Sequence, residues 1–236
     1  MKLLTREFHS HRLVFPPGQR DFLLGFSWVA PVINKDLGEP IMSSERLTAT
    51  PTTAVPQIQS VADPAPLGLA GFALTTFVLS AVNAGWIPKP AEPVVLGLAF
   101  GYGGLAQFCA GMWEFRRNNT FGATAFTSYG AFWIAFALLV AFHVANIPAE
   151  ARPAAVGMFL LAWGIFTAYM TVAASTLSKP VLVVFILLTI TFFVLAIGAF
   201  ISQPGLTVLG GYLGLLTAIA AWYASAVTVI ASTRKS

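Results

Sequence analysis

Charge is what this sequence has least of. Asp, Glu, Lys and Arg make up 9% of its 236 residues, against 57% apolar residues and a mean hydropathy of +0.77. A water-soluble domain carries roughly a quarter charged residues. Between Pro66 and Ala231 there are eight: Lys89, Glu92, Glu114, Arg116, Arg117, Glu150, Arg152 and Lys179. All of them fall in short gaps between apolar blocks. So few charges cannot cover a water-facing surface, whereas a lipid-facing one needs hardly any. A soluble domain is excluded.

Other scarcities narrow the chemistry. The single cysteine, Cys109, rules out an intramolecular disulfide; inside an apolar run it reads as a packed, inert thiol. Of three histidines, His143 alone lies near an apolar block, and an interfacial structural role is expected for it. No nucleophile–base pair, metal-ligand cluster, phosphate-binding glycine loop or haem ligand pair appears, so neither an enzyme nor a cofactor is expected. Net charge is +4 with a pI near 9.5, yet no dense Lys/Arg stripe exists, which argues against a nucleic-acid partner. No ionisable residue falls in the middle of an apolar block, where ion-coupled pumps place their relays.

What is present is a set of six apolar blocks, at about 66–87, 94–113, 123–144, 154–175, 181–201 and 206–231. Each has roughly the 20 residues that a bilayer core demands, and proline-containing gaps stop each helix. The expected fold is an all-α integral membrane bundle of six spans over 63–231, with membrane lipid as its solvent. One side of the membrane receives Arg116, Arg117, Lys179, Arg234 and Lys235, the other only Lys89 and Arg152. Positive charge collects on cytoplasmic loops, so both termini, including the short C-terminus 232–236, are expected in the cytoplasm. Residues 1–62 hold eleven of the 22 charges and a Pro/Thr/Ser-rich stretch, which reads as a flexible tail. Met42 is the expected true start, with 1–41 as an upstream extension.

Gly97–Gly101 and Gly210–Gly214 form GxxxG pairs, which let helix backbones approach closely in lipid. Trp86, Trp113 and Tyr212 fall near span ends, as interfacial aromatics do. Polarity within the spans is neutral. Thr75, Thr76, Ser80 and Asn83 lie in span one, Gln107 in span two, Thr124, Thr127, Ser128 and Tyr129 in span three, Thr167 and Thr171 in span four, and Thr189 and Thr191 in span five. Hydroxyls and amides replace part of a small solute's hydration shell without the cost of a buried charge. Single Ser and Thr residues also bond back to their own helix, but the set on the odd-numbered spans together suggests a pore lining. Each odd span also pairs a bulky residue with a polar one: Phe72 before Thr75-Thr76, Tyr129 after Thr127-Ser128, and Leu188 before Thr189. That pattern fits three helix hairpins around a central pore.

The opening DPAPLGLAGFALTT at 63–76, the run YGGLAQFCAGMWEFRRNNTFGATAFTSYGAFW at 102–133, WGIFT at 163–167 and GYLGLLTAIAAWYA at 211–224 closely resemble the acetate uptake transporter (acetate/succinate permease) family. The resemblance covers 63–231. It implies a six-helix protomer resembling the acid-activated urea channels, a homohexameric assembly in the plasma membrane, and one pore per protomer for acetate and, in some members, succinate. By motif it implies a pore constriction at Phe72, Tyr129 and Leu188. The substrate pathway is then expected at Asp63, Pro64, Pro66, Gly68, Leu69, Thr75, Thr76, Asn83, Gln107, Thr127, Ser128 and Thr189. The family motif opens with Asn where this chain has Asp63; Asp caps a helix comparably, but its charge offsets the anion attraction of a helix N-terminus. A channel for another small solute, such as urea, ammonia or water, is the main alternative. A sensor or scaffold role would call for a folded soluble domain that the sequence does not offer. Because a weak acid brings its own proton, a channel or a proton-linked permease needs no carboxylate relay.

Overall fold

The computed structural model describes residues 61–234; the tail and start-site expectations for 1–60 lie outside them. Among the described residues the structure is all helical, with six helices long and apolar enough to cross a membrane. They are α1 (Ala65–Asn83), α2 (Lys89–Arg116), α3 (Thr120–Asn146), α4 (Arg152–Ala174), α5 (Lys179–Phe200) and α6 (Pro204–Thr233). The chain is a multi-pass membrane protein.

Local chemistry sets the helix ends. Pro66, Pro153, Pro180 and Pro204 fall in first turns, where a missing N–H costs nothing because that donor has no helical partner. Asn119 caps α3 through its side-chain oxygen, which accepts from the Gly122 N–H at 3.1 Å. Gly85 takes φ +79° to end the α1 connection, a conformation that glycine adopts without strain. Two spans are not uniform: α2 loosens into a π-helical turn at Gly101–Ala106, and α3 does so at Leu139–His143.

Glycines set the packing. A Cβ at Gly211 of α6 would collide with the backbone at Ala84, and one at Gly214 with Ser80, so α6 lies tightly along α1. A Cβ at Gly130 of α3 would sit 2.7 Å from the Phe108 nitrogen, and one at Gly111 would run into Thr127, which closes the α2–α3 hairpin. The two GxxxG pairs part company here. Gly210 and Gly214 are buried, whereas nothing lies within 4 Å of a Cβ at Gly97 or Gly101, so that pair makes no close approach within the protomer. The helix backbones run close together for α1–α6, α2–α3, α4–α5 and α5–α6, whereas those of α3 and α4 stand apart and meet through side chains. Cys109 is exposed rather than packed, because it lies on the outward face of α2 with Leu105 and Met112. Large apolar side chains such as Val172, Ile201 and Phe142 also face outward, as a bilayer or a second copy requires.

Candidate functional site

Two cavities meet inside the bundle. The larger, about 360 Å³, is a vestibule lined chiefly by α1, α3, α4 and α5, with Lys89 and Glu92 of α2 and Thr207 of α6. Its walls are aromatic and aliphatic, with Phe132, Trp133, Phe159 and Phe192 prominent. Its polar groups are Thr76, Ser80, Asn83, Thr191 and Thr207, and its mouth carries the Lys89–Glu92 ion pair at 3.0 Å. The smaller cavity, about 20 Å³, lies deeper among Leu69, Gln107, Ala125, Tyr129 and Phe185. Phe72 and Leu188 border both. A void of that size holds about one water, so a solute of several heavy atoms passes only if these side chains move.

Helical spacing brings this junction together. Residues three or four apart share a helix face, which puts Leu69, Phe72, Thr76, Leu79 and Asn83 on one side of α1. Tyr129 of α3 packs its ring 5.8 Å from Phe72 and also touches Trp163, Phe166 and Phe185. Its hydroxyl is 2.9 Å from Thr167 Oγ1. Because Thr167 already donates to the Trp163 carbonyl at 2.7 Å, the Tyr129 hydroxyl is the donor of that pair. Its proton is therefore committed to α4.

The sequence-predicted residues divide into three groups. Phe72, Tyr129 and Leu188 come together at the cavity junction, with Leu69 and Gln107 on the deep side and Thr76 and Asn83 on the vestibule side. Asp63, Pro64, Pro66 and Gly68 shape the start of α1. The N-cap position belongs to Pro64, and Asp63 instead accepts from the Ala65 N–H at 3.0 Å and pairs with Arg117. Its charge is thereby partnered rather than presented to a pathway. The Pro66 carbonyl accepts from Ser225 at 2.8 Å, tying α1 to α6, and Gly68 makes room for the Phe126 ring.

The remaining residues are placed elsewhere. Thr75 bonds back to the Gly71 carbonyl and packs on Gly103; Thr127 lies against Gly111; Ser128 borders neither cavity. Thr189 pairs with Thr171 at 2.7 Å across α4–α5. The geometric reason is rotation: Thr189 is turned about 100° from Leu188, whereas Thr191, three residues on, shares its face. The hydroxyl of α5 in the vestibule is therefore that of Thr191.

Sequence reasoning also missed Glu114. Read as part of the gap after span two, it lies in the last turns of α2 and is fully buried. Asn119 Nδ2 donates to its Oε2 at 2.9 Å, while Oε1 has no partner among the described residues.

The sequence pattern of the GPR1/FUN34/yaaH family matches residues 46–236. Acetate permease A of Emericella nidulans is 43% identical over 182 residues, covering 71% of this chain and 61% of that protein. Ammonia transport outward protein 2 of Saccharomyces cerevisiae is 40% identical over 181 residues, covering 75% and 64%. The chain thus spans about three-fifths of the length of these curated relatives. In three dimensions it resembles the bacterial acetate channel SatP, with a TM-score of 0.69 and 33% identity over 74% of this chain and 95% of that one.

Proposed function

The chain belongs to the GPR1/FUN34/yaaH family, and from that premise we propose that it passes small carboxylates, acetate first and succinate next, across the plasma membrane. The observation that carries this reading is the junction of vestibule and void at Phe72 and Leu188, with Tyr129 against Phe72. An apolar ring of this kind gates by dewetting and by size, admitting a small acid and rejecting hydrated ions. Thr76, Asn83 and Thr191 offer neutral hydrogen bonds in the vestibule and Gln107 offers them beyond the ring, weakly enough for release. With both termini cytoplasmic, the vestibule opens outward. The protomers assemble as a hexamer, and the exposed Gly97–Gly101 face is available for such contact. The function is transport, not catalysis.

A second reading, ammonia passage, is favoured by the name of the yeast relative and by a pathway without charge in its walls below the mouth. Proteoliposomes discriminate the two. Uptake of labelled acetate above protein-free vesicles supports the carboxylate reading; ammonia-driven alkalinisation without acetate uptake replaces it with the second.

A further inference from the structure

Three buried polar atoms without a hydrogen-bond partner among the described residues lie along the α2–α3 seam: Gln107 Oε1, Thr127 Oγ1 and Glu114 Oε1. The hairpin register sets their order. Gly130 packs on Phe108, Gly111 on Thr127, and Gly122 on Glu114. Gln107 and Glu114 are two turns apart on one face of α2, about 10 Å of helix rise, with Thr127 at the level between them. The upper end, Gln107, borders the void at the Phe72–Leu188 junction. The lower end is a carboxyl group with no solvent exposure.

Buried polar atoms without protein partners are where bound water resides, and each of these side chains can hydrogen-bond one. A buried carboxylate with an uncompensated oxygen is costly unless a proton or a cation joins it. The neighbouring charges largely offset one another at Glu114, with Arg117 favouring its ionised form and Asp63 opposing it. Arg117, in the α2–α3 turn, is engaged by Asp63 ahead of α1, and Arg116 on α2 itself is exposed. The first turns of α1 and α3 carry no charged residue, and α3 contributes only the Asn119 cap.

We propose that Glu114 is a proton-binding site serving the transport pathway, linked to the void beside Gln107 by Thr127 and bound water. The inference rests on the carboxylate reading above. A carboxylate crosses a desolvated constriction far more easily as the neutral acid, and the Gln107 end of the seam borders the void beyond the ring, where an acid that has crossed gives up its proton. The exchange balances. In uptake the O–H bond of the substrate acid breaks in the void, a proton passes along the seam, and an O–H bond forms on the ionised Glu114 carboxylate. Water at the Glu114 end of the bundle then takes that proton, so anion and proton arrive on the same side.

The test is acetate uptake into proteoliposomes, with voltage set by potassium and valinomycin, the pH gradient varied independently, and leak through protein-free vesicles subtracted. Wild-type uptake is expected to follow the pH gradient and ignore voltage, because anion and proton move together. Glu114→Gln is expected to lose most of the response to the pH gradient, with the remaining flux becoming voltage-sensitive, a change that a merely structural role does not produce. Should that variant fail to insert, Thr127→Val carries the test and is expected to show a several-fold shallower pH response. A voltage-insensitive Glu114→Gln, or a Thr127→Val with the wild-type pH response, overturns the proposal while leaving carboxylate transport intact. Absence of acetate flux in the wild type removes the function reading and this inference with it.

Discussion

The two ends of the bundle use the same kinds of side chain to opposite effect. On the vestibule side, Phe132, Trp133, Phe159 and Phe192 surround about 360 Å³ of space. On the other side, Phe72, Phe126, Tyr129 and Phe185 surround about 20 Å³. Aromatic content does not decide which arrangement forms; backbone approach does. Below the junction, Gly111 and Gly130 bring α2 onto α3, and the rings in front of them have no room to part. Above it, the α3 and α4 backbones stand apart and meet only through side chains such as Phe132 and Phe159, which leaves space beside the rings. The roomy and the tight cavity thus follow from where the small residues fall.

The largest expected effect comes from spoiling a close approach. Gly211→Ala puts a methyl group into the Ala84 backbone and is expected to destabilise the protein by about 3 kcal/mol, read as loss of monodisperse protein in a thermal melt. Gly97→Ala, with open space around it, should leave the melt within about 0.5 kcal/mol of wild type. A large shift there would locate a contact between protomers. Next comes the closed end: Tyr129→Phe removes the donor to buried Thr167 and should cost about 1 kcal/mol in the same melt. A smaller, more pointed contrast separates neighbours on α5. Thr191→Val should lower acetate uptake several-fold at unchanged expression, while Thr189→Val should move stability and not transport. The reverse pattern would return the pathway to the Thr189 face. Least of all, Asp63→Asn should change stability by less than about 1 kcal/mol, because its pairing with Arg117 is half exposed and screened.

The six spans were legible because a bilayer imposes one coarse demand, twenty apolar residues between polar gaps, and composition answers it directly. Motif resemblance singles out Phe72, Tyr129 and Leu188, and the structure gathers them at one place. Thr189 borders neither cavity although it adjoins Leu188 in sequence, because a helix turns each residue by about 100° from the last. Cys109 was misjudged for a related reason: an apolar run in a membrane helix signals lipid on its outward face as readily as a core. Glu114 was invisible because the α2 helix runs past the apolar block to Arg116, and only the fold of α3 back over Gly122 buries it. The Gly97–Gly101 and Gly210–Gly214 pairs are identical as patterns, and only the neighbouring helices distinguish them.

The most direct test of the account is the size selectivity of Phe72→Ala. Removing the ring that borders both cavities should join vestibule and void, so uptake of a bulky acid such as benzoate should rise relative to acetate in reconstituted, correctly folded protein. A selectivity ratio equal to that of the wild type would show that the pathway does not run between Phe72 and Leu188.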